Sequence, residues 1–199
     1  MRVLVVYASR YGATQGIAER IAATLRQQGV EATVQSVQHA DDPKGYAAAV
    51  IGSAAYYFRW MKRATEFVQR NRDVLANKPV WLFSSGPLGT EAKDAQGRDL
   101  CAVTEPKEIA EFRETIKPRD HRVFFGALHA GKLGFTHRLL LKMPANRDNA
   151  IFPEGDFRDW GEIEAWASGI AQALRTHTGD AASRADEPGA LAGGTPLTH

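Results

Sequence analysis

Ser9 and Thr14 flank Arg10, Tyr11, Gly12 and Ala13 in a short loop directly after the apolar run Val3-Leu4-Val5-Val6. Behind the loop, Ile17, Ala18, Ile21, Ala22 and Leu25 recur at three- and four-residue spacing, which predicts a helix. The first N–H groups of a helix lack intrahelical partners, and its dipole favours negative charge at that end. Two hydroxyls and a glycine at such a mouth suit an anion. The loop is neither G-x-G-x-x-G nor G-x-x-x-x-G-K-[ST], so a dinucleotide fingerprint and a nucleoside triphosphatase are not supported. Its size suits one terminal monophosphate, although an ordinary capped turn would have the same composition.

Two further stretches carry related chemistry. Gly52, Ser53, Ala54 and Ala55 lead into Tyr56, Tyr57, Phe58 and Trp60, and Ser84-Ser85-Gly86-Pro87-Leu88-Gly89 closes another apolar run. Small residues permit close backbone approach, and clustered aromatic faces suit a flat conjugated ring. The competing reading puts those aromatics in the core. Arg59, Lys62 and Arg63 add cations beside them. The histidines do not assemble a metal site: His39, His121, His177 and His199 stand apart, and no carboxylate lies between His129 and His137. Cys101 is the single cysteine, which excludes an intrachain disulfide and fits a reduced, cytosolic setting.

The elements that would position these loops alternate strand and helix. The valine-rich run at 3–6 and the apolar runs at 47–53, 80–85 and 122–128 read as buried parallel strands, and 31–37 alternates as a half-exposed edge strand. Helices are expected after the first loop, over 64–75, over 106–116 and from Asp159, where Glu162 completes a capping-box spacing. Five parallel strands with crossover helices make a doubly wound α/β sheet, which binds ligands beyond the strands' carboxyl ends at the topological switch point. One domain over 1–177 and a disordered tail over 178–199, rich in Ala, Gly, Asp, Pro and Thr, are expected.

The 199 residues carry a net charge of +2, too weak a bias to argue for nucleic acid. The first apolar run is too short for a signal peptide, and no window approaches the ~20 apolar residues of a membrane span.

With these loops in this order, the chain resembles the flavodoxin-like fold, with strand order 2-1-3-4-5. Ser9 to Thr14 resembles that fold's FMN phosphate loop, with Tyr11-Gly12 in place of the usual threonine-glycine pair. Tyr56 falls where flavodoxins place a ring-stacking aromatic. Over about residues 1–176 the chain further resembles the menaquinone-dependent protoporphyrinogen dehydrogenase group. That likeness is carried by Arg10 before Gly12, by Gly52-Ser53 with Tyr56 and Glu66-Phe67-Val68, by Gly126-Ala127-Leu128 and by Asp159-Trp160.

The resemblance implies FMN, held by residues 9–14 at its phosphate and by residues 53–57 and 84–89 around the ring. It implies an oxidoreductase with a porphyrinogen substrate and a quinone or other redox partner, its chemistry borne by the flavin rather than by a protein acid or base. An electron-carrier flavodoxin and an NAD(P)H-dependent quinone reductase are the alternatives. Carriers are usually acidic, and this chain is mildly basic. Arg59 and Lys62, with Arg138, are the expected partners of substrate carboxylates. The segment Gly131–Met143 interleaves large apolar residues with Lys132, Arg138 and Lys142, and reads either as a peripheral membrane or partner contact or as a packed crossover helix.

Overall fold

The computed structural model describes residues 1–128 and 154–185, with side chains to residue 176. Strand β1 (Arg2–Ala8) runs through the loop 9–12 into α1 (Ala13–Gln27), and Gly29 at φ +79° turns the chain into β2 (Glu31–Ser36). Next come β3 (Ala48–Tyr56), the two-residue β4 (Arg59–Trp60), α2 (Lys62–Arg70), α3 (Arg72–Leu75) and β5 (Val80–Ser85). They are followed by α4 (Leu100–Val103), α5 (Glu108–Thr115), β6 (Asp120–Phe124), β7 (Ala127–Leu128), β8 (Gly155–Asp156) and α6 (Trp160–Ala185).

The parallel sheet has the order β2-β1-β3-β5-β6. This is the doubly wound arrangement expected from the sequence. β2 lies on one side of β1 and all later parallel strands on the other, so the winding reverses between β1 and β3. Strand alternation divides the core in two. Val3, Val5, Val50, Trp81 and Phe83 pack under α1 and α6, whereas Leu4, Val6, Ile51, Val80 and Leu82 pack under α2, α3 and α5. The periodic residues of α1 named above are all fully buried, as are Ile163 and Ala167 of α6.

Four boundaries differ from the sequence reading. The helix expected over 64–75 breaks at Asn71, whose side-chain amide donates to the Phe67 carbonyl and ends α2. The strand expected over 122–128 stops at Phe124, and Ala127–Leu128 pairs antiparallel with Gly155–Asp156 instead. The short α4 is not among the helices expected from the sequence. The last helix continues to Ala185, beyond the Thr178 start of the expected tail. Asp159 caps α6 as expected, its side chain accepting from the Glu162 N–H at 2.9 Å. Residues 129–153 and 186–199, including Arg138 and the segment 131–143, lie outside the described residues.

Candidate functional site

Ala8, Ser53 and Ser84 are paired neighbours in one row across β1, β3 and β5, so three loops leave the sheet at one level. They leave beside the point where the winding reverses. In the first loop, Gly12 takes φ +90° at the N-cap of α1, a left-handed conformation that glycine adopts without strain. Its N–H donates to Ser9 Oγ at 3.0 Å, which folds the loop back on itself. Among the described residues, no side chain caps α1.

Thr14 follows, with no exposed surface. Among the described residues, its Oγ1 is the buried side-chain oxygen without a hydrogen-bond partner in the protein. An orphaned buried hydroxyl is costly unless something accepts or donates there. Arg10 lies over the Tyr11 ring at 5.4 Å, so the loop also brings a cation.

The second loop is a hairpin that the sequence did not reveal. Tyr56 pairs with Arg59, leaving Tyr57 and Phe58 as a two-residue turn at φ +50° and +59°. Positive φ at both turn positions is what type I′ hairpins require, normally from Asn or Gly. Bulky aromatics there are strained and held by their surroundings. Lys107 N–H donates to the Phe58 carbonyl at 3.0 Å, and Trp60 N–H donates to Glu108 Oε2 at 3.1 Å. Met61 N–H donates to Ser53 Oγ at 3.0 Å. The tip is solvent-facing: Tyr57 is 87% exposed, Phe58 50% and Tyr56 39%. Burial of its remaining surface pushes the Tyr56 phenol up to about 12; Tyr11 raises it further and Arg10 opposes. The first and second loops are therefore electrostatic neighbours, and Tyr56 stays neutral through the physiological range.

The third loop abuts both its neighbours. Ala55 Cβ lies 3.4 Å from where a side chain on Gly86 would begin, so glycine lets the second and third loops meet. Gly86 N–H donates to the Phe124 carbonyl at 3.3 Å, and Gly126 N–H to the Pro87 carbonyl at 2.8 Å. A side chain on Gly126 would begin 3.4 Å from Leu88, and Gly89 takes φ +115°.

The serines divide by role. Ser9 folds the first loop, whereas Ser53 and Ser84 are fully buried and commit their hydroxyls to the hairpin. Ser85 is buried beside Gly126. Ala13 gives its carbonyl to Arg158 Nη1 at 3.2 Å. Arg158 also stacks on Trp160 at 4.3 Å and anchors the start of α6 to the first turn of α1. No motif singles it out in sequence. Of the expected substrate cations, Arg59 meets Glu108 at 3.5 Å and Lys62 meets Glu66 at 3.4 Å, both heads largely in water. Burial pushes the Cys101 thiol up to about 11, assisted by Asp99 and Glu162, which makes it a poor nucleophile. No cluster of metal-ligating side chains occurs among the described residues.

The Flavodoxin domain family model matches residues 4–150. The chain belongs to the flavodoxin domain family. Membership implies a flavin, and the uncapped α1 mouth with its orphaned Thr14 hydroxyl is a fitting place for an anionic end of one. Protoporphyrinogen IX dehydrogenase (quinone) of Escherichia coli strain K12 is 29% identical over 176 residues, 86% of this chain and 95% of that protein. A flavodoxin from the domain Archaea superposes with a TM-score of 0.54 at 20% identity, covering 88% of this chain and 99% of that one. A C101S mutant of the Pseudomonas aeruginosa flavodoxin gives 0.55 at 15% identity over the same shares of the two chains. At these identities the structural matches show the fold alone.

Proposed function

We propose that this flavodoxin-family protein is an FMN-dependent oxidoreductase that dehydrogenates a porphyrinogen and passes the electrons to a quinone. The observation that carries the flavin reading is the placement, beside the β1/β3 switch point, of a buried Thr14 hydroxyl at a helix N-terminus, partnerless among the described residues, together with the partly exposed Tyr56. Thr14, Ser9 and the N–H groups after Gly12 would hold the phosphate, which selects a mononucleotide. Tyr56 would cover the ring, with Tyr57 beside it. The backbone of Ser53 to Ala55 and of Ser84 to Gly89 would line its edge. A flavin bound there supplies the electron-pair chemistry that none of these side chains offers. The aromatic tip keeps water from one side, and Arg10 offsets negative charge at the first loop.

The substrate reading rests on the relative from Escherichia coli, whose name specifies protoporphyrinogen IX and a quinone. A porphyrinogen joins an apolar macrocycle to carboxylates. The hairpin offers exposed Phe58 and Arg59 side by side. Arg59 spends one contact on Glu108 and has N–H donors left for a carboxylate; Lys62 is the second cation. Arg138 completes the proposed set from outside the described residues.

The test is oxidation of protoporphyrinogen IX by FMN-loaded protein, with and without a quinone, followed by porphyrin fluorescence. Quinone-dependent turnover is expected. Exposed pairs are each worth on the order of 1 kcal/mol, so Arg59→Ala or Lys62→Ala alone should raise KM about five-fold, and the double variant further, with FMN content unchanged. Absence of turnover, with flavin still reduced by NADPH or by protein donors, would move the reading to a quinone reductase or an electron carrier.

No helix among the described residues is long and apolar enough to cross a membrane. Contact with a membrane-borne quinone would be peripheral, through segment 131–143 of an otherwise cytoplasmic protein. Co-sedimentation with anionic vesicles at low salt should retain the protein and release it at high salt; failure to bind at low salt rules the contact out.

A further inference from the structure

Behind the aromatic hairpin runs a chain of buried side chains from three separate parts of the sequence. Trp60 Nε1 donates to Ser84 Oγ at 2.7 Å, Ser84 Oγ lies 2.9 Å from His121 Nε2, and His121 Nδ1 lies 3.0 Å from Glu105 Oε1. Arg113 grips Glu105 through two contacts of 2.8 and 2.6 Å. Trp60 and the His121 side chain are almost completely buried, and Ser84 is completely so.

The partners fix the direction of every bond. Arg113 holds the Glu105 carboxyl ionised, its affinity for protons pulled below the usual carboxylate range, with His121 adding to the effect. An ionised carboxylate only accepts, so His121 carries its proton on Nδ1, leaving Nε2 as an acceptor. Ser84 must then donate its O–H to Nε2, and its oxygen receives the Trp60 N–H. Trp60 is the base of the hairpin: it pairs with Ala55, next to the Tyr56–Arg59 pair that carries the strained tip.

We infer that His121 is a positioning residue for the aromatic hairpin, acting through the Ser84 hydroxyl and the Trp60 indole. This rests on the proposal that the hairpin receives a flavin. The device has a built-in sensitivity to protons. A second proton on His121 turns Nε2 into a donor, so Ser84 would face two donors and its own O–H would lose its acceptor inside a dry interior. The groups facing His121 are Ser84 from β5, Glu105 before α5, Arg113 from α5 and Asp120 beside it in β6. Burial is the largest influence and holds the imidazole below its ordinary value of 6.5, with Arg113 in the same sense and Glu105 and Asp120 opposing. His121 is therefore neutral, and the bonds aligned, at neutral pH.

The experiment follows the Trp60 indole N–H by NMR in flavin-free protein labelled at tryptophan, assigned with Trp60→Phe, alongside the His121 imidazole. The two resonances should move together with one midpoint below pH 6.5, and His121→Gln should abolish the indole step. FMN affinity of the wild type should fall about five-fold across the same step and stay level in His121→Gln, the loss expected for one hydrogen bond. An indole resonance that stays still while His121 titrates overturns the inference, as does a step that survives in His121→Gln or an FMN affinity indifferent to the step. If His121→Gln fails to fold, co-titration in the wild type decides. If the protein takes up no FMN at any pH, the flavin reading fails, and the indole titration still decides whether His121 sets the hairpin.

Discussion

Thr14 shows how one atom can carry opposite consequences in two states of a protein. Its buried hydroxyl has no partner among the described residues, so in the flavin-free protein it contributes a desolvation cost. Thr14→Val keeps the branched shape and removes that cost. The thermal midpoint of the flavin-free variant should be unchanged or slightly higher, by at most about 1 kcal/mol of stability. Its FMN affinity should fall by about 1–3 kcal/mol, because a charge-assisted bond to phosphate is lost. Calorimetry with and without FMN separates the two effects. A variant destabilised without flavin would show that the hydroxyl already has a structural task, and equal FMN affinity would remove it from the phosphate site. Ser9 was legible as a loop residue from its place after a buried strand. The buried tasks of Ser53 and Ser84 were not, because their partners Met61, Trp60 and His121 are set by the folded hairpin and the sheet register rather than by spacing.

At the scale of elements, the parallel sheet and its order were readable because buried strands are continuous apolar runs and amphipathic helices announce their period. The hairpin of β3 and β4 was not readable, because its turn defies the usual chemistry. Tyr57 and Phe58 occupy positions where Asn and Gly are expected, and tertiary bonds that spacing does not reveal, from Lys107, Glu108, Ser53 and Ser84, hold the hairpin there. His121 looked isolated for a similar reason: Glu105 and Ser84 are 16 and 37 residues away in sequence. The strain makes its own prediction. Tyr57 packs little, being 87% exposed, and a left-handed conformation costs a non-glycine residue about 1–2 kcal/mol. Asparagine tolerates that region better. Tyr57→Asn should therefore stabilise the protein by on the order of 1 kcal/mol in denaturant melts, while weakening retention of a planar ligand. That trade is expected where strain serves a site. Destabilisation by Tyr57→Asn would mean that the ring contributes packing its exposure does not suggest.

For the whole molecule, acid is the condition that should expose how the layers are joined. His121 and Glu105 link β5, β6 and α5 behind the sheet's carboxyl edge, and both have their proton affinity depressed in the folded state. For His121, the unfolded chain binds a proton first, so stability falls as pH drops below 6.5 and through its folded value. For Glu105, the stability from Arg113 and His121 is present above its ordinary 4.5 and lost as pH falls through its lower folded value. Asp41 and Asp94, lowered by Tyr46 and by Arg98 respectively, act in the same sense at the surface. Glu162 opposes them: burial raises its value, so protonation relieves a cost as pH falls. The histidine loss begins at the highest pH, near the ordinary 6.5, because burial lowers the folded value from there. Each unit of its depression is worth about 1.4 kcal/mol. Urea midpoints measured from pH 7.5 down to 4 should therefore decline in two stages, the upper beginning near 6.5. His121→Gln should lower the neutral-pH midpoint and flatten the upper stage, while the part of the lower stage that Arg113 gives to Glu105 remains. A wild-type midpoint that stays level between pH 6.5 and the onset of carboxylate titration would contradict a buried neutral His121, and with it the hydrogen-bond directions that join the hairpin to the sheet.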